Sequence, residues 1–196
     1  MLFTSKIQKA IRRASLLHEG QKRKCDGSPY VTHLFGVALI LAHYVSDEDV
    51  IVAGILHDVL EDVPKEKYDA SRMQKEFGDK VYAIVKEVTE DKDPQEDKTK
   101  NEALWIRRKE NYINNLKNDS REALLVAAAD KIHNLLSMLE SHEKYGEEIW
   151  QHFHAPKDRR MWFYREVFVV LKERLTHPIV DELENVMKIA QEKLGA

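Results

Sequence analysis

Cysteine, proline and glycine are scarce in this sequence, which has one cysteine, five prolines and seven glycines among its 196 residues. Because Cys25 has no second cysteine to pair with, an internal disulfide is excluded, and we expect a cytoplasmic location. The few prolines and glycines leave no stretch long enough to act as a linker. Apolar residues make up 43% of the chain, so we predict a single domain over residues 1–196 with one sizeable core.

An excess of charge of one sign and a long apolar run are also missing. The 31 basic and 34 acidic residues are mixed along the chain and give a formal charge of -3, which offers no net attraction to a nucleic-acid backbone or an anionic membrane. The longest apolar run is far too short to cross a bilayer. We therefore expect no nucleic acid polymer and no membrane as partner, and the oligomeric state is left open, with a homo-oligomer as one alternative.

The spacing of apolar residues is helical in nearly every segment, and strict apolar/polar alternation is almost absent. This pattern predicts an all-α fold of about eight or nine helices. Residues 1–18 carry basic but no acidic side chains, a composition that an organelle transit peptide also shows, but their helical spacing favours an amphipathic first helix. The predicted helices cover residues 5–18, 33–45, 47–61, 66–76, 79–90, 98–116, 120–141, 158–175 and 179–193.

The segment VIVAGILHDVLED, residues 50–62, runs from apolar residues directly into His57, Asp58, Glu61 and Asp62. Such side chains are costly to bury unless a charge partner, a hydrogen bond or a metal ion compensates for the lost water. On a helix, Glu61 lies one turn after His57, and Asp62 lies one turn after Asp58. A His-Asp pair can simply cap a helix end, but here two residues of metal-ligand type are followed by two carboxylates, and paired carboxylates beside a metal are suited to orienting and deprotonating water.

Two further residues could complete a metal site. His33 begins a predicted helix after a turn that contains Pro29, and Asp130 interrupts the apolar run of LLVAAADKIHN. A buried aspartate in such a run requires a partner. Two imidazoles and two carboxylates form a nitrogen and oxygen donor set that suits Mn²⁺, Fe²⁺ or Zn²⁺ and can leave positions for water and a phosphate oxygen.

A basic loop precedes His33. The loop GQKRKCDGSPYVT, residues 20–32, carries Lys22, Arg23 and Lys24. A basic loop that opens onto a metal-type histidine can bind an anionic substrate, whereas a Lys/Arg run on a solvated surface is the more common explanation.

The remaining histidines lack a comparable cluster, and we expect surface or hydrogen-bonded packing roles for them. His152 and His154 are the most tempting false candidates, because they alternate in a stretch without a helical neighbour to complete a site. The full set is His18, His43, His133, His142, His152, His154 and His177.

Several motifs occur in an order that resembles a known family. They are HEGQKRKCDGSPYVTHL, AGILHDVLEDV, FGDKVYAIVKEVTEDK and AAADKIHNLLSML, followed by a weaker match in RMWFYREVFVVL. Together they resemble the HD-domain phosphohydrolases, specifically the hydrolase domain of RelA/SpoT-type alarmone enzymes and its small stand-alone homologues. The resemblance covers roughly residues 7–140, with the C-terminal helices at 158–193 expected to pack on that core.

The resemblance implies a helical HD fold that binds one divalent ion, usually Mn²⁺. It also implies a nucleotide substrate, since such enzymes remove the 3′-diphosphate of guanosine tetra- or pentaphosphate and release pyrophosphate with GDP or GTP. The implied metal ligands are His33, His57, Asp58 and Asp130.

The resemblance also implies roles for the other candidate residues. Glu61 and Asp62 would position and activate the hydrolytic water. Arg23 and Lys24 would grip phosphate or base, Asn134 would shape the nucleotide pocket, and Tyr164 is a further candidate for its lining.

Two departures from the family pattern bear on the substrate. The alarmone enzymes often have a small residue and then glycine after the Arg-Lys pair, whereas this chain has Cys25, Asp26 and Gly27. We expect the acid to alter how the loop binds a polyanionic substrate. The segment DKTKNEALWIRRKENYINNL also differs from the long enzymes. No chain remains for a synthetase domain, so synthesis is not predicted.

Three functions remain open from the sequence. The first is hydrolysis of an alarmone, and the second is hydrolysis of another phosphorylated nucleotide or dinucleotide by the same metal site. The third is a non-catalytic module that binds metal or nucleotide. The presence of Glu61 and Asp62 favours the two enzymes, because a binding-only site has no need of a water-activating pair.

Overall fold

The computed structural model describes residues 3–24, 26–91, 102–153 and 155–195. Within these ranges the fold is all-α, as predicted, and the only extended pairing is an isolated antiparallel bridge between Lys22 and Pro29. The helices are α1 (Ser5–Leu17), α2 (Val31–Tyr44), α3 (Glu48–Leu56), α4 (Val59–Asp62), α5 (Ala70–Phe77), α6 (Asp79–Val88), α7 (Glu102–Leu116), α8 (Arg121–Tyr145), a 3₁₀ helix (Gly146–His152), α9 (Lys157–Arg174) and α10 (Pro178–Leu194).

The core forms around α3 and α8. All residues of α3 from Val50 to Leu56 are buried, because α1, α2, α6 and α8 pack around this helix. Helix α8 is buried from Ala123 to Ile132, where it contacts α2, α3 and α6, and α9 and α10 also pack against it. The C-terminal helices thus contribute residues to the same core.

The predicted helix over residues 47–61 is wrong in one respect, because it is broken between α3 and α4. The ring Nδ1 of His57 donates a hydrogen bond of 2.8 Å to the carbonyl oxygen of Gly54. In a continuous helix that carbonyl would accept from the backbone amide of Asp58. The side-chain bond therefore ends α3 at the residues that carry the candidate site.

The other helix boundaries agree with the prediction to within a few residues. The largest differences are the later start of α5, at Ala70, the extension of α8 to Tyr145, and the unpredicted 3₁₀ helix. The predicted start of the helix at 98–116 falls outside the described residues. None of the described helices has both the length and the apolar character that a membrane crossing requires.

Candidate functional site

Four predicted metal ligands meet at the centre of the fold. His33 lies in the first turn of α2, His57 and Asp58 lie at the break between α3 and α4, and Asp130 lies in the middle of α8. The Nε2 atoms of His33 and His57 are 3.3 Å apart. The Oδ2 atom of Asp58 lies 3.2 Å from Nε2 of His57 and 3.6 Å from Nε2 of His33.

Asp130 approaches the same two imidazoles. Its Oδ1 atom lies 3.1 Å from Nε2 of His33 and 3.6 Å from Nε2 of His57. Donors that bind one ion at about 2.0–2.2 Å lie about 2.8–3.6 Å apart when the bond angles are about 90–110°. All of these separations fall within that range, and His33, His57 and Asp58 form a cluster that could hold a metal ion.

The imidazoles are oriented for metal binding by the hydrogen bonds of their other nitrogens. Because Nδ1 of His57 donates to Gly54, its Nε2 is left as a lone-pair donor. The Nδ1 atom of His33 lies 2.9 Å from Nδ1 of His133, so His133 can accept this proton when Nε2 of His33 binds a cation. Burial lowers the pKa of His133 to about 4, which keeps its ring neutral and able to accept.

The electrostatics of the cluster favour a cation at its centre. Burial lowers the pKa of His33, so that this imidazole stays neutral. Burial also opposes protonation of His57, but the nearby carboxylates of Asp58 and Asp130 outweigh it and raise the pKa of His57 well above its usual value. The pKa of Asp58 and that of Asp130 are lowered despite burial, through His57 and Lys131 respectively. Two ionised carboxylates that face two imidazole nitrogens therefore stabilise positive charge between them.

Glu61 and Asp62, the predicted catalytic residues, lie on α4 immediately after the cluster, and both line the same cleft. The Oε2 atom of Glu61 accepts a hydrogen bond of 3.2 Å from the backbone amide of Glu90. The Oδ2 atom of Asp62 accepts a hydrogen bond of 2.9 Å from the side-chain amide of Gln21. The two carboxylates are thus held by different segments, Glu61 by the residues after α6 and Asp62 by the loop after α1.

The predicted substrate-binding residues line this cleft, which has a volume of about 420 Å³. The guanidinium of Arg23 donates a hydrogen bond of 2.9 Å to Oδ1 of Asn134 and lies 5.8 Å from the ring centre of Tyr30. Asn134 in turn donates a hydrogen bond of 2.6 Å to Oδ1 of Asp130, which links the basic loop to the group of candidate metal ligands, called the metal cluster below. The other predicted lining residues, Lys24 and Tyr164, face the same space.

The unusual acid of the basic loop also lies at the cleft. Asp26 accepts hydrogen bonds from the backbone amide and hydroxyl of Ser28, at 3.0 and 2.8 Å. Burial opposes ionisation, but these bonds and the charge of Arg23 lower the pKa of Asp26. The loop thus presents an ionised carboxylate beside its basic residues. Cys25 falls outside the described residues, so the proposed effect of this loop on specificity stays a prediction.

The opposite wall of the cleft comes from α7 and was not predicted. Glu90 follows α6, and its buried side chain accepts hydrogen bonds from Arg108 at 2.5 Å and from Lys109 at 2.6 Å. The ammonium group of Lys109 lies 4.5 Å from the ring centre of Phe163, and burial lowers the pKa of Lys109 to about 8. This wall adds cationic groups to the cleft and fixes the backbone amide that contacts Glu61.

Sequence reasoning missed several residues that support the cluster. The hydroxyl of Tyr30 donates a hydrogen bond of 2.6 Å to Oδ2 of Asp58. The ammonium of Lys131 donates one of 2.5 Å to Oδ2 of Asp130. His133 had a detectable signal, since it lies one helical turn after Asp130 on the same helix. Tyr30 had none, because helical spacing says nothing of side chains in a loop.

The remaining histidines of the described ranges are not part of the group of candidate metal ligands. His18 is buried and forms a hydrogen bond with Gln21, which matches the second of its two expected roles, hydrogen-bonded packing. His142 pairs with Glu147 near the end of α8, at 3.0 Å. His154 falls outside the described residues.

Comparisons with known proteins agree with this geometry. A family model described as HD domain matches residues 10–157. A GTP pyrophosphokinase from Streptomyces coelicolor is 34% identical over 160 residues, which are 79% of this chain but 18% of that protein. A Drosophila melanogaster guanosine-3′,5′-bis(diphosphate) 3′-pyrophosphohydrolase, MESH1, is 34% identical over 135 residues, which are 67% of this chain and 69% of that protein.

A solved structure is similar over nearly the whole chain. It is described as a metazoan ortholog of SpoT that hydrolyzes ppGpp, and it shares 28% identity with a TM-score of 0.74, covering 98% of this chain and 97% of the other. The chain spans less than a fifth of the length of the first curated relatives it matches, at 18% of each.

Removal of a central donor should abolish cation binding. We expect His57→Ala and Asp58→Ala to lose the stabilisation that a divalent cation gives the wild type, which is about 2.7 kcal/mol when the cation is at 100 times its dissociation constant. Thermal unfolding with and without cation, together with metal analysis of the same samples, measures this loss. His142→Ala is the control because it lies outside the cluster, and retention of the cation by His57→Ala would exclude His57 as a ligand.

A side chain at Gly36 should weaken the cation site indirectly. A Cβ at this position would overlap the imidazole of His133, so Gly36→Ala must displace the ring that orients His33. We expect the affinity for a divalent cation to fall by about 10- to 100-fold, the usual effect of losing a supporting hydrogen bond. Calorimetric titration measures the affinity.

The double variant Gly36→Ala/His133→Ala tests the cause of this effect. Its stability should exceed that of Gly36→Ala, because the overlap is relieved, while its affinity for the cation should not recover. An affinity for the cation equal to that of the wild type in Gly36→Ala would show that His133 does not support the site.

Proposed function

The chain belongs to the HD-domain family, and from this premise we propose that it is a metal-dependent phosphohydrolase that acts on guanosine-3′,5′-bis(diphosphate). Water would hydrolyse the ester linkage that joins the diphosphate to the ribose 3′ oxygen, giving pyrophosphate and a guanosine nucleotide with a free 3′ hydroxyl. The pentaphosphate analogue would yield GTP in place of GDP. The MESH1 relative, of which the chain covers more than two thirds, supports this substrate.

One observation carries the proposal. A set of two imidazoles and two carboxylates, of which all but Asp58 are buried, lines a cleft that also contains two further carboxylates and a basic loop. Phosphate hydrolysis needs these three elements together, because an ion must neutralise phosphate charge, a base must act on water, and cations must hold the substrate. A module that only binds nucleotide has no use for Glu61 and Asp62.

A divalent ion at His33, His57, Asp58 and Asp130 would supply Lewis-acid activation of water and neutralise charge on the phosphoryl group. We propose Mn²⁺ as this ion. Its support is the donor set, since imidazole nitrogens and carboxylate oxygens without a thiolate suit a borderline to hard cation better than a soft one. Fe²⁺ and Zn²⁺ have compatible donor preferences and are the alternatives for metal analysis.

Glu61 and Asp62 would orient water and accept its proton. Both carboxylates lie on the short helix that follows Asp58, and each is held by a hydrogen bond from a different wall of the cleft. A fixed carboxylate is an effective base because its position does not have to be established during the reaction.

Arg23 and Lys24 would bind the phosphate groups. The contact with Asn134 holds the guanidinium of Arg23 at the cleft, and a planar guanidinium can donate two parallel hydrogen bonds to one phosphate. Asn134 and Tyr164 would border the nucleotide. The cations of α7 add to the positive potential that a substrate with two diphosphates requires.

The cellular setting is part of the proposal. We propose a cytoplasmic protein with residues 1–196 as one domain, acting on a small nucleotide without a nucleic acid polymer or a membrane as partner. The single cysteine and the formal charge of -3 support this setting. Association into a homo-oligomer is an alternative to the monomer.

Purified protein loaded with Mn²⁺ should release pyrophosphate from guanosine tetraphosphate. The measurement is product chromatography against a panel of phosphorylated nucleotides, with chelator-treated protein as the control. If the protein hydrolyses only another member of the panel, the alarmone is not its substrate, but the assignment as a phosphohydrolase stands. Absence of turnover with every member would favour the binding module.

Glu61→Gln and Asp62→Asn should separate water activation from metal binding. Each variant keeps the shape of the side chain but loses its basicity, so kcat should fall by about 100-fold or more with bound metal unchanged. Metal content and rate are measured on the same preparations. Loss of the ion from both variants would assign these carboxylates to metal support, and full rates would exclude the proposed role.

Arg23→Ala should weaken substrate binding without removing the ion. We expect KM to rise by about tenfold, since the lost interaction is a hydrogen bond between charged groups. Binding by the wild type should also weaken with added salt, because salt screens such contacts. Lys65→Ala is the control on the exposed surface, and loss of metal from Arg23→Ala would contradict the assignment.

A further inference from the structure

The loop that begins at His18, the C-cap of α1, contains Gln21 and Tyr30, and both of these side chains line the cleft. Its backbone is closed by hydrogen bonds from the amide of Gln21 to the carbonyl of His18, at 3.1 Å, and from the amide of Tyr30 to the carbonyl of Gln21, at 2.9 Å. The rings of His18 and Tyr30 stack with centres 5.2 Å apart and planes 20° apart. Gln21 is therefore held on both sides by its own loop before it contacts any other element.

A hydrogen-bonded chain runs from His18 through Gln21 to Asp62. Nδ1 of His18 lies 2.6 Å from Oε1 of Gln21, and Nε2 of Gln21 lies 2.9 Å from Oδ2 of Asp62. The first contact requires Nδ1 of His18 to carry the proton, since the amide oxygen can only accept. The amide nitrogen of Gln21 is then the atom that must face Asp62.

The buried environment of His18 determines which ring nitrogen carries the proton. His18 is 2% exposed, and its Nε2 atom has no hydrogen-bond partner among the described residues. An unpaired buried N–H would be more costly than an unpaired lone pair, which favours the proton on Nδ1 rather than on Nε2. The reverse orientation of the Gln21 amide would set a carbonyl oxygen against the carboxylate of Asp62, and two acceptors repel.

We propose that Gln21, oriented by His18, is a positioning residue that fixes the carboxylate of Asp62 for the reaction. This inference rests on the proposed function, because its consequence is the rate of hydrolysis. The amide of Gln21 occupies Oδ2 of Asp62 and thereby sets the plane in which the carboxylate meets water. His18 has no contact with the reaction itself and acts only through the amide.

The position of Gln21 separates this role from metal binding. The loop supports the metal cluster through a different side chain, since the hydroxyl of Tyr30 contacts Asp58 while the amide of Gln21 contacts Asp62. Loss of the amide donor at Gln21 thus leaves the bond to Asp58 in place. The expected result is a defect in kcat with metal content and KM unchanged.

Two variants remove the donor without removing the bulk of the side chain. Gln21→Met keeps the length and Gln21→Leu keeps most of the bulk, and neither can donate to Asp62. With guanosine tetraphosphate and Mn²⁺, we expect kcat to fall by about tenfold or more in both, with KM and bound Mn²⁺ within about twofold of the wild type. Gln74→Met is the matched control, because Gln74 makes the same kind of bond to Asp79, at 2.6 Å, on an exposed surface.

Two substitutions of His18 test whether the hydrogen bond to Gln21 is donated from the position of Nδ1. Asparagine can place an N–H donor near the position of Nδ1, whereas glutamine places one near Nε2, away from Gln21. We expect His18→Asn to retain most of the kcat and His18→Gln to lose as much as the Gln21 variants. A merely structural role would reduce the rate in proportion to lost stability, so unfolding temperatures are measured for all variants.

The outcomes distinguish the two proposals. Wild-type turnover with an unchanged kcat in Gln21→Met and Gln21→Leu would overturn the positioning role and leave the proposed function intact. Loss of bound Mn²⁺ from these variants would also overturn it, because the effect would then pass through the metal cluster. Wild-type protein that hydrolyses no member of the nucleotide panel would overturn the proposed function and this role with it.

Discussion

The fold depends on the compensation of charge at the centre of an apolar core. His33, His57 and Asp130 are buried where α2, α3 and α8 pack together, at a place where other positions of these helices are filled by aliphatic side chains. Such groups destabilise a core unless each has a partner. Here each carboxylate faces an imidazole, and hydrogen bonds from Tyr30 and Lys131 occupy carboxylate oxygens. The cluster is therefore both the candidate site and the condition under which these helices can meet.

The helical content and the residues of the cluster were predictable from sequence, for different reasons. Helical periodicity reports which face of each segment is apolar, and this is enough to place α2, α3 and α8. The candidate ligands were visible because ionisable residues interrupt apolar runs, as Asp130 does in α8. A polar group in an apolar run indicates a site because its burial without a partner would be unfavourable. That reasoning needs no knowledge of which helices pack together.

The supporting contacts were less predictable because they arise from packing between distant segments. Gln21 contacts Asp62 across a loop, and Glu90 contacts Arg108 between two helices, without any periodic pattern to indicate either pair. The break after His57 was also missed, because the segment continues with good helical spacing into α4. What ends the helix is a competing bond from a side chain to the backbone, and sequence periodicity does not report such competition.

This break has a consequence for the local stability of the candidate site. His57 and Asp58 lie at the junction between α3 and α4, where Nε2 of His57 and Oδ2 of Asp58 are 3.2 Å apart. The segment that begins at Asp58 has only four helical residues and also carries Glu61 and Asp62. Local unfolding of so short a helix would remove one candidate ligand and both carboxylates in a single step. A cation that binds Asp58 therefore also stabilises the helical backbone that carries Glu61 and Asp62. Metal binding and the order of these two carboxylates are thus thermodynamically linked.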